Sequence, residues 1–175
     1  QKREEQFFSA HYDNLHITGV SANIKNRLLS DHPHIEPNTV TTISNGTNYI
    51  GTYNIEVDEH KAKFTFLCIG DFCERKNQAI TIKALSEMAR EDRDRMRVVF
   101  AGIREETFSS FKTLCQKYDV TQSVELLGVL STEALQQQYS KADVLISTSL
   151  NESFGLTFVE GFSYGLPSIA FKDID

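Results

Sequence analysis

The sequence predicts an α/β fold, a parallel sheet with helices on both faces. From residue 64 onward, apolar runs of five to seven residues alternate with longer stretches that carry an apolar stripe. Three of the apolar runs end at or beside a glycine, at Gly70, Gly102 and Gly128, which marks the close of a strand. With 40% hydrophobic and 24% charged residues, the composition is ordinary for a globular protein of 175 residues.

Each predicted strand is a continuous apolar run, as expected where helices cover both faces of a sheet. The predicted strands are residues 64–69, 97–102, 124–128, 143–149 and 167–171. The predicted helices are residues 78–89, 104–118, 131–142 and 157–165. The last helix ends at Gly165, and Pro167 follows at once. This alternation predicts right-handed crossovers and a Rossmann-like sheet.

The first 60 residues follow a different pattern. Residues 16–22 are predicted as a strand, 23–31 as a short helix, and 39–44 as a strand closed by Asn45-Gly46. The stretch 47–60 has mixed polarity and is typical of a linker. We therefore expect a boundary within about 46–60.

Composition excludes several classes of protein. A formal net charge of -6 argues against a nucleic-acid-binding surface, which needs a basic field. No apolar run approaches the roughly 18–20 residues of a transmembrane helix, so no transmembrane segment is expected. Cys68, Cys73 and Cys115 are too few and scattered for a disulfide framework, and their spacing is not that of a zinc site. We expect free thiols, no metal and a cytoplasmic protein.

Ligands of parallel α/β sheets bind where the strands end. Two loops in such positions carry charged residues. After the first strand of the regular part come Arg75 and Lys76, and a lysine there can pair with a diphosphate. A solvated basic pair beside Glu74 is the alternative.

The other loop, after the fourth strand, carries Glu152 and leads through Ser153–Gly155 into a helix that holds Glu160. The first N–H groups of that helix have no intrahelical partners and can receive a phosphate or sugar oxygen. Gly155 allows the backbone to approach closely, and Glu160 can accept hydrogen bonds from a vicinal diol such as that of a ribose. An acidic residue early in a helix is also favoured by the macrodipole, so a structural role stays open.

Several spaced motifs together resemble one family. NESFGLTFVEGFSYGLPSIA resembles the E-x7-E segment of the retaining GT-B glycosyltransferases known as glycosyl transferases group 1, family four. The matching positions are Glu152, Phe154, Gly155, Leu156, Glu160, Gly165 and Pro167. IGDFCERKNQ resembles the family's phosphate loop at Gly70, Lys76 and Asn77, and ISNGTN resembles its interdomain turn. LGVLSTEALQQQYSKADVLISTS resembles the stretch from the third strand to the fourth, so the resemblance covers about 43–175.

The resemblance implies the C-terminal half of a GT-B fold with a metal-independent site for a nucleotide-sugar donor. Lys76 would bind the diphosphate, Glu152 would be the catalytic residue that touches sugar hydroxyls, and Glu160 would bind the ribose. The loop at Gly128–Leu130 would border the base. The implied donor-binding residues are Gly70, Arg75, Lys76, Gly128, Val129, Leu130, Ser153, Phe154, Gly155, Leu156 and Glu160.

The resemblance also implies a domain plan. Residues 1–46 would be the end of an N-terminal acceptor domain with the interdomain turn, 47–60 a linker, and 61–175 a donor domain truncated at its C-terminal end. Such a fragment is expected to be inactive alone. A glycan or lipid-linked acceptor would bind through the missing N-terminal domain, and the full-length protein could lie at the inner face of the membrane.

One position departs from the family. Asp71 stands where the family has an arginine directly after the loop glycine, so the phosphate contact of that arginine is not expected here. Arg75 could supply the positive charge instead. A non-catalytic domain that binds a nucleotide or sugar is therefore the alternative. A retaining glycosidase is disfavoured, because two carboxylates eight residues apart on one helix would be roughly 12 Å apart, not about 5–5.5 Å. A nicotinamide oxidoreductase would need G-x-G-x-x-G, which IGDFCERKN lacks.

Overall fold

The computed structural model describes residues 16–47 and 62–172. The chain divides into two compact units, whose described parts are 16–46 with Ser153–Gly155, and 47 with 62–152 and 156–172. The predicted linker, 47–60, lies outside the described residues apart from Thr47, so the predicted domain boundary stays a prediction.

The smaller unit contains a two-stranded parallel sheet and one helix. Strand β1 (Ile17–Gly19) pairs with β2 (Val40–Thr42), and helix α1 (Ala22–Asp31) lies between them in the chain. The helix begins where Ser21 accepts a hydrogen bond from the Ile24 amide at 3.2 Å, as an N-cap residue does. Both strands fall within their predicted ranges, and the helix begins at Ala22, one residue before its predicted start. A short 3-10 turn, Pro37–Thr39, occupies the stretch before β2.

The larger unit alternates strands and helices in the predicted order. Its strands are β3 (Phe64–Ile69), β4 (Met96–Ile103), β5 (Val124–Gly128), β6 (Val144–Ser147) and β7 (Ser168–Ala170). Its helices are α2 (Ala79–Glu87), α3 (Arg90–Asp94), α4 (Glu105–Lys117), α5 (Thr132–Lys141) and α6 (Leu156–Ser163), with a 3-10 turn at Glu74–Lys76. Helix α3 was not predicted, because REDRD has no apolar stripe.

The five strands form one parallel sheet, as the sequence predicts, and the structure gives their order as β5-β4-β3-β6-β7. From β3 the chain adds β4 and then β5 on one side, and it returns to place β6 on the other side of β3. The strand order therefore reverses between β3 and β6. In open α/β sheets a crevice opens outside the carboxyl ends at such a switch point, so the loops after β3 and β6 flank the favoured place for a ligand.

Apolar side chains cover both faces of the sheet. Along β4, Val98 and Phe100 pack with Phe111 of α4 in one cluster, whereas Val99 and Ala101 belong to another. Successive strand residues point to opposite faces, so a strand buried on both sides must be apolar throughout. This double burial explains why the strands were readable as uninterrupted apolar runs. Within the described residues, no helix is long and apolar enough to cross a membrane.

Candidate functional site

A lysine, an arginine and a glutamate lie together at the switch point; we call Arg75, Lys76 and Glu152 the switch-point cluster. Lys76 Nζ is 2.5 Å from Glu152 Oε1, and Arg75 Nη1 is 3.6 Å from Glu152 Oε2. The side chains of Lys76 and Glu152 are only 15% and 14% exposed, whereas that of Arg75 is 54% exposed. The two loops that the sequence predicts to carry ligand-binding residues are therefore in contact through oppositely charged side chains.

Backbone contacts hold these two loops together independently of the ion pair. The Leu150 amide donates to the Arg75 carbonyl at 2.9 Å, and the Thr148 hydroxyl donates to the Lys76 carbonyl at 2.9 Å. The Arg75 guanidinium also donates to the Asn151 carbonyl at 3.1 Å. These contacts fix the main chain of both loops, so the Cα atoms of the switch-point cluster have defined positions.

The surroundings of Glu152 keep its carboxyl ionised. Burial alone would raise its pKa, but hydrogen bonds from Lys76 and Ser149 and the positive charges of Lys76 and Arg75 lower the pKa below its ordinary value. A carboxyl with a lowered pKa is a poor proton donor near neutral pH. Glu152 is therefore suited to accept hydrogen bonds or to stabilise positive charge, and not to act as a general acid.

The loop that carries Lys76 depends on Gly70 and on a buried glutamine. Gly70 has φ +135°, and a Cβ at this position would lie 3.2 Å from Lys76 Cε. The buried Gln78 amide group donates from Nε2 to the carbonyls of Gly70, at 3.2 Å, and of Asp71, at 2.7 Å. The lysine stem thus passes directly over a glycine, which explains the glycine at the end of β3.

Asp71, which stands where the family has an arginine, contacts the start of α4. Its Oδ1 accepts hydrogen bonds from the Arg104 amide at 3.2 Å and the Thr107 hydroxyl at 3.0 Å, and its Oδ2 lies 3.3 Å from Arg104 Nε. Burial acts to raise the pKa of Asp71, but these hydrogen bonds and the Arg104 charge lower it. The carboxylate caps a helix whose own preceding residue, Arg104, supplies no side-chain cap. Asp71 therefore has a structural partner that the sequence did not reveal.

Glu160 is held by a tyrosine from a different helix. The Tyr139 hydroxyl on α5 donates to Glu160 Oε2 on α6 at 2.6 Å. Tyr139 is completely buried, and its ring stacks on Tyr164 with centroids 5.2 Å apart. Burial, and then the charge of Glu160, raise the pKa of Tyr164. In the sequence, Tyr139 lies in the stretch that resembles the family between the third and fourth strands, and nothing local shows which residue its hydroxyl contacts.

Helix α6 lies close against the sheet. A Cβ at Gly161 would come within 3.1 Å of Leu145 Cδ2, so the absence of a side chain allows the helix to approach β6. The preceding residue, Glu160, is thereby carried on a rigid element next to the sheet.

The remaining predicted residues lie around the end of β5 and around the start of α6. Gly155 has φ +78° and directly precedes α6. The helix begins at Leu156, one residue before its predicted start at 157. Ser153 is exposed and Phe154 is half-buried. Gly128 ends β5, Val129 is 76% exposed, and Leu130 packs against the apolar cluster that contains Tyr139. Since β4 separates β5 from β3, this loop lies about 10 Å from the β3 strand along the sheet.

A parallel sheet covered on both faces, with a charged cluster at its switch point, defines a Rossmann-like α/β domain. The chain belongs to the family Glycosyl transferases group 1, whose model matches residues 53–174.

Two curated relatives are similar to the chain in sequence. The chain is 28% identical over 174 residues to D-inositol 3-phosphate glycosyltransferase of Corynebacterium diphtheriae, covering 90% of this chain and 40% of that protein. It is 28% identical over 106 residues to alpha-monoglucosyldiacylglycerol synthase of Streptococcus pneumoniae, covering 61% of this chain and 24% of that protein. The chain thus spans well under half the length of these relatives.

Among solved structures, Anabaena Alr3699/HepE in complex with UDP-glucose superimposes with a TM-score of 0.76 at 16% identity, covering 96% of this chain and 47% of that one. Such likenesses confirm the predicted fold, the Rossmann-like C-terminal half of a GT-B fold.

Proposed function

We propose that this chain carries the nucleotide-sugar donor site of a glycosyltransferase that transfers a hexose with retention at the anomeric carbon. The observation that carries the proposal is the switch-point cluster, because it places two cations and an ionised carboxylate where α/β sheets bind their ligands. Membership in the family and the likeness to a structure bound to UDP-glucose support the same assignment.

Lys76 and Arg75 are the groups suited to the diphosphate. In the structure both cations lie against the carboxylate of Glu152, so an arriving diphosphate would compete with that carboxylate for the lysine. A donor sugar would offer hydroxyl groups to Glu152 in exchange, since a carboxylate accepts hydrogen bonds from hydroxyls. The ion pair therefore links the phosphate subsite to the sugar subsite.

The rest of the donor would extend over neighbouring loops. The backbone at Phe154–Leu156 opens helix α6, whose N-terminal N–H groups can stabilise the negative charge of the leaving diphosphate together with Lys76. With these groups in place, the transfer would need no metal ion. Glu160 would accept the ribose hydroxyls, and Gly128–Leu130 would border the base.

The acceptor is proposed from the relatives. One relative's name specifies an inositol phosphate and the other's a diacylglycerol, so a glycan or lipid-linked glycoconjugate is the class we propose. Acceptor contacts would come from an N-terminal domain of the full-length protein. A cytoplasmic location, peripheral at the inner face of the membrane, stays a prediction.

The experiment is calorimetric titration of the chain with UDP, GDP and ADP, each with magnesium and again with EDTA. We expect one diphosphate to bind irrespective of metal. Lys76→Ala should weaken binding about tenfold or more, since one hydrogen bond to a charged group is worth roughly 1.5–3 kcal/mol. Lys83→Ala is the control, because Lys83 is an exposed lysine on α2.

Equal affinity of wild type and Lys76→Ala would contradict the assignment of the phosphate subsite. If no diphosphate binds at millimolar concentration, the titration is repeated with a longer chain that includes the N-terminal domain. Continued absence of binding would reject the donor site. A full-length protein that binds donor without turnover would instead support the alternative, a non-catalytic nucleotide- or sugar-binding domain.

A further inference from the structure

The hydroxyl of Tyr139 donates a hydrogen bond to Glu160, the residue proposed to bind the ribose. Tyr139 is fully buried, and its neighbours in the apolar cluster include Leu67, Leu145 and Leu166. Its ring is also stacked nearly parallel on Tyr164, with an angle of 11° between the planes. A tyrosine ring has two side-chain torsions, and packing on this scale restricts both, so the position of the hydroxyl is fixed by the core.

Glu160, by contrast, is half-buried, and its side chain has one more torsion than that of tyrosine. Its Oε2 accepts the Tyr139 hydroxyl at 2.6 Å, which is a short hydrogen bond of the kind formed with a charged acceptor. A fixed donor on the core therefore selects the orientation of a mobile carboxylate. One oxygen is engaged, and Oε1 retains its capacity to accept further hydrogen bonds.

We infer that Tyr139 is a positioning residue that holds the Glu160 carboxylate for the ribose hydroxyls of the donor and so makes the site select ribonucleotides. This inference rests on the proposed function, because it requires Glu160 to face a ribose. The hydrogen bond orders the carboxylate before the ligand arrives, and ligand binding then restricts less side-chain motion. Only ligands that use the carboxylate gain from this ordering.

A purely structural explanation makes a different prediction. A buried tyrosine hydroxyl needs an acceptor, and Glu160 could serve only that need. Removing the hydroxyl would then disturb the core and lower the affinity for every ligand by the same factor. The positioning role instead predicts a loss confined to ligands that carry ribose hydroxyls, so the ratio of two affinities separates the explanations.

The test compares a nucleoside diphosphate with its 2′,3′-dideoxy analogue, using whichever of UDP, GDP or ADP binds the wild-type chain most tightly. Calorimetry gives both dissociation constants for wild type, Tyr139→Phe, Glu160→Gln and Tyr164→Phe. The last variant is the matched control: it also removes a tyrosine hydroxyl from the stacked pair, but the hydroxyl that donates to Glu160 belongs to Tyr139. Thermal unfolding checks that each variant is folded.

We expect Tyr139→Phe to lower the preference for the ribonucleotide about three- to tenfold, as expected for one side chain that is no longer fixed, while affinity for the dideoxy analogue stays unchanged. Glu160→Gln should remove most of the preference, and Tyr164→Phe should retain it. If Tyr139→Phe does not fold, Tyr139→4-aminophenylalanine keeps the ring and a weaker donor. Its preference should lie between those of wild type and Glu160→Gln.

Three results would overturn the inference. If Tyr139→Phe, or the 4-aminophenylalanine variant in its place, keeps the wild-type preference, or weakens both ligands equally, Tyr139 is only structural. A preference that Glu160→Gln removes while the Tyr139 variant retains it rejects the inference but leaves the proposed ribose subsite intact. If wild type binds neither ligand, or both equally, the ribose subsite itself is wrong and the inference fails with it.

Discussion

At the scale of single residues, the candidate site consists of charges whose partners come from distant parts of the sequence. Lys76 and Glu152 are 76 positions apart and form a hydrogen-bonded pair with little solvent exposure. A pair of this kind is weak evidence for stability, because burial of two charges offsets much of their attraction. Its location at the switch point and its link to Arg75 give it a functional interpretation. The position of the Lys76 side chain also limits which residue can occupy position 70, because the lysine stem passes directly over Gly70.

Gly70→Ala tests that constraint. The native φ of +135° is unfavourable for alanine, and the new Cβ would lie 3.2 Å from Lys76 Cε. We expect a loss of about 1–3 kcal/mol in the free energy of unfolding, measured by urea denaturation. Gly128→Ala is the control, since its nearest contact would be 3.8 Å away, and it should change stability much less. Equal effects at the two glycines would show that the backbone at Gly70 is not strained by a side chain.

At the scale of elements, the loop after β3 serves two neighbours at once. It presents Lys76 toward the β6 loop, and through Asp71 it caps helix α4, which follows β4. The acidic residue therefore replaces a family arginine without leaving an unpaired charge, because Arg104 supplies the cation. Helix α4 in turn contributes Phe111, which packs against Phe100 of the sheet. The cap thus connects the site loop to the core.

Asp71→Ala should therefore destabilise the domain through helix α4. Losing an N-terminal cap costs about 0.5–2 kcal/mol, and we expect a decrease of that size in the free energy of unfolding. Glu74→Ala, an exposed acidic residue in the same loop, should change stability by no more than about 0.5 kcal/mol. Hydrogen exchange of the first turn of α4 should increase in Asp71→Ala alone. Equal exchange in both variants would argue that Asp71 does not cap the helix.

At the scale of the whole molecule, the sequence predicted the described strands and every described α-helix except α3, but it did not predict which residues of different elements contact one another. The strands β3 and β5 match their predicted bounds, because continuous apolar runs ending near glycine are a strong local signal. The sequence predicted that Lys76 and Glu152 lie at the same edge of the sheet, but it did not predict that they pair. The pairing requires β6 to lie beside β3, and the order of the strands cannot be deduced from local sequence. Tyr139 with Glu160 and Asp71 with Arg104 were not predicted, because each contact joins separate elements.

The two-sided core also determines how the molecule should respond to alkaline pH. Burial raises the pKa of the Cys68 thiol from an ordinary value of 9.0 to about 12, although the charge of Lys76 opposes this shift. Burial likewise raises the pKa of Cys115 to about 11. In the unfolded chain both thiols lose their protons near pH 9, while in the folded chain they stay protonated. The unfolded state then binds fewer protons, so the free energy of unfolding decreases as pH rises above about 9.

We expect this alkaline decrease to reach about 1.4 kcal/mol per pH unit for one fully buried thiol. Urea denaturation of the reduced protein between pH 7 and about 10.5 measures the slope. Cys68→Ala should lower stability at pH 7, because it opens a cavity in the sheet, yet it should have a shallower alkaline slope than wild type. Cys73→Ala is the matched control, because Cys73 is an exposed cysteine in the loop. If all three proteins share one slope, lysines and tyrosines dominate the alkaline titration, and the buried thiol beside the Lys76 loop does not limit the stability of the fold.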